Sequence, residues 1–199
     1  MRSRPVCMDV LSHDFVEICL ELAATVHDYA PDLVIGIERG GARVAEEMLE
    51  ALGQPEYVAV RVQRPGTQAK SSLRLGGVIS RLPRIVTEHL RWLEVEVREQ
   101  ALRTDRSPAG AEWAGSDELL SALTFSRSFQ RIVVVDDTID SGRTVTVVRE
   151  ALRRTCPGAE VRIAVLASTW RNPPVRPDYC LHDRTLLRLP WSLDAVGRS

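Results

Sequence analysis

The sequence predicts an α/β fold, a parallel sheet with flanking helices, and three observations carry that prediction. Leu33-Val34-Ile35-Gly36-Ile37, Arg131-Ile132-Val133-Val134-Val135 and Val161 to Ala167 are short, nearly unbroken apolar runs, the pattern of strands covered on both faces. The segments between them carry helical periodicity. Strands that alternate with helices need crossover connections, and these give a parallel sheet. At 199 residues, 44% hydrophobic and 27% charged, the chain has the size and balance of one such domain with a small appendage. That composition excludes a wholly disordered or collagen-like chain.

Each element has a local reason. Asp14 and Glu17 have capping-box spacing, and Phe15, Ile18, Cys19, Leu22 and Val26 then recur with the helical period until Pro31. The strand over 32–37 follows. Glu38-Arg39-Gly40-Gly41 breaks it, a helix runs from Ala42 to Leu52, and Gly53 stops that helix. Tyr57 to Val62 reads as a second strand. Residues 63–80 are polar and glycine-bearing and read as a long mobile loop. Leu82, Ile85, Val86, Leu90, Leu93 and Val97 form the apolar stripe of a long helix ending near Leu102. That stripe reads as a core or dimer face, so a homodimer is expected, and Trp92 and Trp113 read as packing residues. Thr104 to Ser116 is a linker, and Ser116 to Leu123 a short helix. Arg131 to Val135 is the clearest buried strand. A polar loop over 136–144, a helix from Val145 to about Arg154 and a strand from Val161 to Ala167 complete the core. The proline-punctuated tail from Trp170 caps one end of the sheet. The expected division is a core of 1–168, with a mobile loop and helical insertion over 63–129, followed by a hood over 169–199.

Several function classes drop out on composition. A net charge of −1 gives no bulk attraction to nucleic acid or to an acidic membrane. No run approaches the roughly 20 apolar residues of a membrane-spanning helix. The N-terminal residues have no apolar core of a signal peptide, so a cytoplasmic location is expected. Cys7, Cys19, Cys156 and Cys180 are scattered, as free thiols in a reducing compartment would be, and the four histidines show no metal-ligand spacing.

The chemistry concentrates at 131–150. A buried strand ends in Asp136-Asp137, then a loop carries hydroxyls at Thr138, Ser141 and Thr144 and a glycine at Gly142, then a helix begins. The first amides of a helix have no partner inside it and lie at the positive end of its dipole, so such a loop can wrap a phosphate monoester. Two carboxylates cannot bind that phosphate, but they suit vicinal hydroxyls or a divalent cation. A ribose 5-phosphate satisfies both halves. The loop has neither the GxxxxGK[ST] of a P-loop nor the GxGxxG of a dinucleotide fold.

Val133-Val134-Val135-Asp136-Asp137-Thr138-Ile139-Asp140-Ser141-Gly142-Arg143-Thr144 resembles the signature of the type I phosphoribosyltransferases, the segment that holds 5-phosphoribosyl 1-pyrophosphate. Leu33 to Gly41 resembles that family's pyrophosphate loop, and the order and spacing of the two motifs agree. The resemblance covers about 30–62 and 130–168, more weakly the tail, and implies the type I phosphoribosyltransferase fold. It implies that Asp136 and Asp137 hold the ribose hydroxyls and Mg²⁺. Thr138, Ile139, Asp140, Ser141, Gly142, Arg143 and Thr144 would cradle the 5′-phosphate. Glu38, Arg39, Gly40 and Gly41 would receive the pyrophosphate, with Arg61 and Arg64 beside it. Lys70, the only lysine among the 26 basic residues, or Arg64 would reach the pyrophosphate from a catalytic loop that closes over the site.

For the acceptor, the resemblance points to the 6-oxopurine branch. An aspartate at Asp140 would take the proton that the attacking nitrogen loses. Pro177-Asp178-Tyr179 and Leu189-Pro190-Trp191 resemble the hood that covers a purine in that branch. Trp170, Arg171, Tyr179, Leu186, Leu187 and Trp191 are therefore the candidate acceptor residues. Where purine-using members carry a lysine, this chain has Ser168-Thr169-Trp170-Arg171, and Leu186 or Leu187 stands where an aromatic would stack on the base. A non-purine biosynthetic acceptor, hydrolysis of the donor and a donor-sensing regulator stay open beside purine salvage.

Overall fold

The computed structural model describes residues 6–10, 12–62, 117–170 and 173–191. The loop expected at 63–80, the helix expected from 82 with its dimer face, Trp92 and Trp113, and the linker expected at 104–116 lie outside the described residues.

Strands β2 (Leu33–Ile37) and β4 (Arg131–Ile139) are neighbours, and every residue of β2 and the run Ile132 to Val135 of β4 are buried. Successive strand residues face opposite sides, so a run can be apolar throughout only when both sides are covered. Leu33, Ile35, Ile132 and Val134 pack against α3 (Asp117–Ala122) and α4 (Arg143–Thr155). Val34, Val133 and Val135 pack on the other face with α1 (Ser12–Val26) and α2 (Gly40–Met48). Strand β3 (Glu56–Val60) flanks β2, while β5 (Glu160–Ser168) and then β6 (Tyr179–Asp183) extend the sheet beyond β4. The order is β3-β2-β4-β5-β6, with every pairing parallel. The α/β class and the parallel sheet are as expected.

Several boundaries differ. β4 continues past Val135 to Ile139, because Asp136, Thr138 and Ile139 pair with Val165, Ala167 and Ser168 of β5. Polar residues can extend this strand because its last residues lie at the carboxyl end of the sheet, where Asp136, Asp137 and Thr138 are only half-buried. Helix α2 starts at Gly40 rather than Ala42, and α4 at Arg143 rather than Val145. In the tail, residues 179–183 join the main sheet, and β7 (Thr185–Arg188) pairs in parallel with β1 (Val6–Asp9) as a separate two-stranded sheet. The hood thus includes the segment that precedes α1, a contribution the sequence pattern did not foretell. Val10 N–H donates to Arg188 O at 2.9 Å and continues that tie.

Tyr29 fastens the opposite end of the sheet. Its hydroxyl donates to Glu160 O at 2.7 Å, lies 3.4 Å from Ile132 O, and the Arg162 guanidinium stacks 4.3 Å from its ring centre. Tyr29→Phe keeps the ring and leaves two strand carbonyls short of a donor. A loss of about 1 kcal/mol is expected, lowering the melting temperature by roughly 2–4 °C, as thermal unfolding would report. An unchanged midpoint would show that water replaces the hydroxyl without cost.

All four cysteines are free thiols. Among the described residues no helix is long and apolar enough to cross a membrane.

Candidate active site

From β2 the sheet grows toward β3, and from β4 it grows the other way toward β5. Where neighbouring parallel strands send their connections in opposite directions, a crevice opens beyond their carboxyl ends. Both motifs singled out in the sequence end there. Contact between them depends on glycine. A Cβ on Gly41 would run into Val135 O and come 2.6 Å from Asp136 Cα, and a Cβ on Gly40 would occupy the space of the Asp137 carboxyl. The bare backbone of the first turn of α2 therefore lies directly on the end of β4.

Asp136 and Asp137 stand at this junction, both half-buried. Asp136 Oδ1 accepts the Asp137 N–H at 2.9 Å, and Asp137 Oδ1 accepts the Thr138 N–H at 2.8 Å. Burial pushes the Asp137 carboxyl above the usual carboxylate range. Hydrogen bonds from Thr138 N–H, with the Asp136 side chain and from Trp191 pull it back. Among the described residues no group of three His, Cys, Asp or Glu is placed to hold a metal.

The expected phosphate loop is shorter than the sequence suggested, because β4 runs through Ile139 and α4 begins at Arg143. Asp140, Ser141 and Gly142 make the turn. Gly142 has φ 72°, in the left-handed region that favours glycine, and a Cβ there would come 2.6 Å from Val175 Cβ. The first bond within α4 runs from Thr146 N–H to Gly142 O at 2.9 Å, so the amides of the first turn are directed toward the loop. Ser141 Oγ accepts the Arg143 N–H at 3.4 Å. Asp140 and Ser141 are half-buried and Thr144 is buried. Ile139 is buried in the core, with its Cδ1 3.4 Å from where a Cβ on Gly142 would stand, and its carbonyl accepts the Thr169 N–H at 3.0 Å.

At the facing turn, Glu38 N–H donates to Val60 O at 2.8 Å, which sets Arg61, the next residue of that strand end, beside the turn. Glu38, Arg39 and Arg61 are exposed, Gly40 and Gly41 are buried, and the Glu38–Arg39 peptide is cis. Arg64 and Lys70 lie outside the described residues.

The acceptor candidates separate. Trp170 is 2% exposed beyond the end of β5, next to the Thr169–Ile139 tie, and its indole nitrogen has no hydrogen-bond partner among the described residues. Leu187 points into the core with Val10 and Phe15, whereas Leu186 alternates to the other, half-exposed face of β7. Tyr179 is not brought to the crevice. It pairs with Ala164 in mid-strand, and its hydroxyl accepts the Arg162 Nη1 at 2.6 Å, toward the Tyr29 end. Arg171 lies outside the described residues. Trp191 sits between the Phe15 ring, edge-on at 5.0 Å and 85°, and the Arg43 guanidinium, 4.8 Å from its ring centre.

Phe15, Arg43 and Val175 therefore belong to the surroundings of the site, and the sequence pattern pointed to none of them. Arg43 follows Gly40 by one helical turn, the only local signal available. Phe15 reads as core, and Val175 reaches Gly142 through a tertiary approach that no spacing encodes.

Comparison with known proteins agrees with this geometry. A purine phosphoribosyltransferase from Pyrococcus horikoshii Ot3 superposes with a TM-score of 0.55 at 20% identity, over 94% of each chain. A xanthine-guanine-hypoxanthine phosphoribosyltransferase from Helicobacter pylori gives 0.58 at 16% identity, over 95% of each chain. At such identities the likeness is one of fold. A protein described as bifunctional protein PyrR, from Synechococcus sp. (strain JA-2-3B'a(2-13)), is 39% identical over 79 residues, 39% of this chain. The match spans 41% of that relative's length. The phosphoribosyl transferase domain family matches residues 10–183, and the chain belongs to that family.

Proposed function

We propose that the protein transfers the 5-phosphoribosyl group from 5-phosphoribosyl 1-pyrophosphate to a nitrogen acceptor, with a 6-oxopurine as that acceptor. The observation that carries the reading is the junction at Gly40 and Gly41, where a turn suited to pyrophosphate abuts a carboxylate pair followed by a phosphate-sized loop. Asp136 and Asp137 would receive the vicinal ribose hydroxyls. The loop from Asp140 to Gly142 and the first amides of α4 would hold the 5′-phosphate, and the Glu38 to Gly41 turn the pyrophosphate. The bond from the anomeric carbon to pyrophosphate breaks, its electron pair leaves with the pyrophosphate, and a bond to the acceptor nitrogen forms. Asp140, at the start of the loop, would take the proton that this nitrogen loses. Catalysis then rests on positioning and on neutralising the leaving group.

Two carboxylates without a third protein ligand among the described residues suit Mg²⁺, which keeps waters and substrate oxygens in its shell. Asp136 and Asp137 are the residues that would hold it with the donor, and bound there it would neutralise the departing pyrophosphate. The purine assignment is supported by Asp140 and by the purine-using proteins among the structural neighbours. A second reading, donor sensing without turnover, is favoured by the match to a protein described as bifunctional.

The test is pyrophosphate release from the donor with Mg²⁺ against hypoxanthine, guanine, xanthine, adenine, uracil and orotate. Release with the oxopurines is expected, and Asp140→Asn should reduce turnover about 10²–10⁴-fold while the donor stays bound. Wild-type turnover in that variant removes Asp140 as the base. Release with none of the bases, despite measurable donor binding, moves the protein to the sensing reading.

A further inference from the structure

We propose that Val175 is a positioning residue for the 5′-phosphate loop: it rests on the bare α-carbon of Gly142 and holds the Asp140–Gly142 turn, so the connection between β5 and β6 sets the shape of the donor site. The inference rests on the reading of that turn as the phosphate site.

Gly142 is enclosed on more than one side. A Cβ built on it would stand 2.6 Å from Val175 Cβ, 3.2 Å from Val175 Cγ2 and 3.4 Å from Ile139 Cδ1, so both side chains lie against its bare face. Its carbonyl accepts the Thr146 N–H at 2.9 Å and the Thr146 hydroxyl at 2.8 Å, which ties the residue to α4 as well. Within the turn the Arg143 N–H reaches Ser141 Oγ at 3.4 Å, a long bond that adds little of its own.

Val175 can serve as a support because its own segment is stiff and anchored. Pro173, Pro174 and Pro177 surround it, each with a fixed φ, and a residue that precedes a proline is pushed toward extended backbone. Two bonds to one residue of β5 secure the far end: the Asp178 N–H donates to Ile163 O at 2.9 Å, and Asp178 Oδ2 accepts the Ile163 N–H at 2.8 Å. At the near end the Thr169 N–H donates to Ile139 O, at the base of the same turn. Val175 is half-buried against the core that contains Ile139 and Val145. A group that fixes a binding loop by packing changes affinity without touching the ligand. The pyrophosphate turn is held elsewhere, with Gly40 and Gly41 on Asp137 and the end of β4.

Val175→Gly removes both contacting atoms. Calorimetry with ribose 5-phosphate and, separately, with inorganic pyrophosphate and Mg²⁺ reads the two halves of the site. Affinity for ribose 5-phosphate is expected to fall about tenfold, in the range that a small displacement of positioning groups produces, while affinity for pyrophosphate stays at the wild-type value. Val175→Ile keeps Cβ and Cγ2 and should bind ribose 5-phosphate as the wild type does. Equal loss of both ligands would make Val175 a general structural residue and overturn the proposal, as would undiminished ribose 5-phosphate affinity in Val175→Gly. If that variant does not fold, Val175→Ala, which keeps Cβ and loses Cγ2, carries the same comparison with the same sign. Amide hydrogen exchange in the ligand-free protein should quicken at Ser141, Gly142 and Arg143 in Val175→Gly, and unchanged rates there would sink the proposal. Should the wild type bind neither ribose 5-phosphate nor the donor, the phosphate reading fails, while the exchange rates still decide whether Val175 holds the turn.

Discussion

Asp137→Asn is expected to weaken binding of the phosphoribosyl donor by about 100-fold or more and to abolish measurable turnover, with the fold intact. Asparagine has nearly the shape of aspartate, so it fits the space beside Gly40, and its carbonyl oxygen can still accept the Thr138 N–H at the position where Oδ1 does so now. What it loses is charge and one acceptor. Hydrogen bonds to a charged group contribute about 1.5–3 kcal/mol each, so weakening both ribose contacts costs about 3 kcal/mol, or roughly two orders of magnitude. Stability should move the other way or not at all. Burial disfavours the charged form of Asp137, so a neutral amide removes a penalty that the native state carries. Calorimetry with the donor and Mg²⁺, run beside thermal unfolding, separates the two effects. Undiminished donor affinity in this variant would remove Asp137 from the site.

The second large effect concerns adjacent glycines that should fail differently. The added methyl of Gly41→Ala meets backbone, Val135 O and Asp136 Cα, and neither can rotate away. Helix α2 must then lift from β4, at a cost of about 2–3 kcal/mol and a fall of roughly 4–12 °C in melting temperature. The methyl of Gly40→Ala meets a side chain instead, the Asp137 carboxyl, which can swing. The fold should tolerate that change with a smaller loss of stability, but the carboxyl is displaced and donor binding goes with it. Unfolding midpoints and donor affinities, measured side by side on the two variants, tell these failures apart. A Gly40→Ala protein that binds donor normally would show that the acidic pair does not need this arrangement.

These glycines also show where the sequence was legible. Gly40-Gly41 after an apolar strand reads as a break, and the pattern offered no reason to start a helix before Ala42. The reason is a tertiary approach to β4. Strands β2, β4 and β5 were visible because burial on both faces leaves an apolar run. Tyr179 to Asp183 was not, since an edge strand with half-exposed Leu181 and His182 carries no such run. The four-residue strands β1 and β7 are too short to show a period and form only by pairing across most of the chain. In the site, the phosphate loop and acidic pair were readable because each is contiguous and its residue types match its chemistry. The grouping of Trp191 with Phe15 and Arg43 draws on three separate elements. The hood residues came from a resemblance and not from a spacing, and the structure turns Tyr179 toward the Tyr29 end of the sheet and Leu187 into the core.

The parallel pairing of Val6–Asp9 with Thr185–Arg188 has a consequence for how the molecule is held together. A two-stranded ribbon that closes a loop of nearly the whole chain has little cooperative support of its own and a large closure entropy against it. What holds it is packing, since Val10 and Leu187 are buried in the same core as Phe15 and Leu22 of α1. Trp191 follows that ribbon and packs on Phe15 of α1, so the ribbon and the tail aromatic share one support. The first and last described strands are thus fastened through α1 as well as to each other.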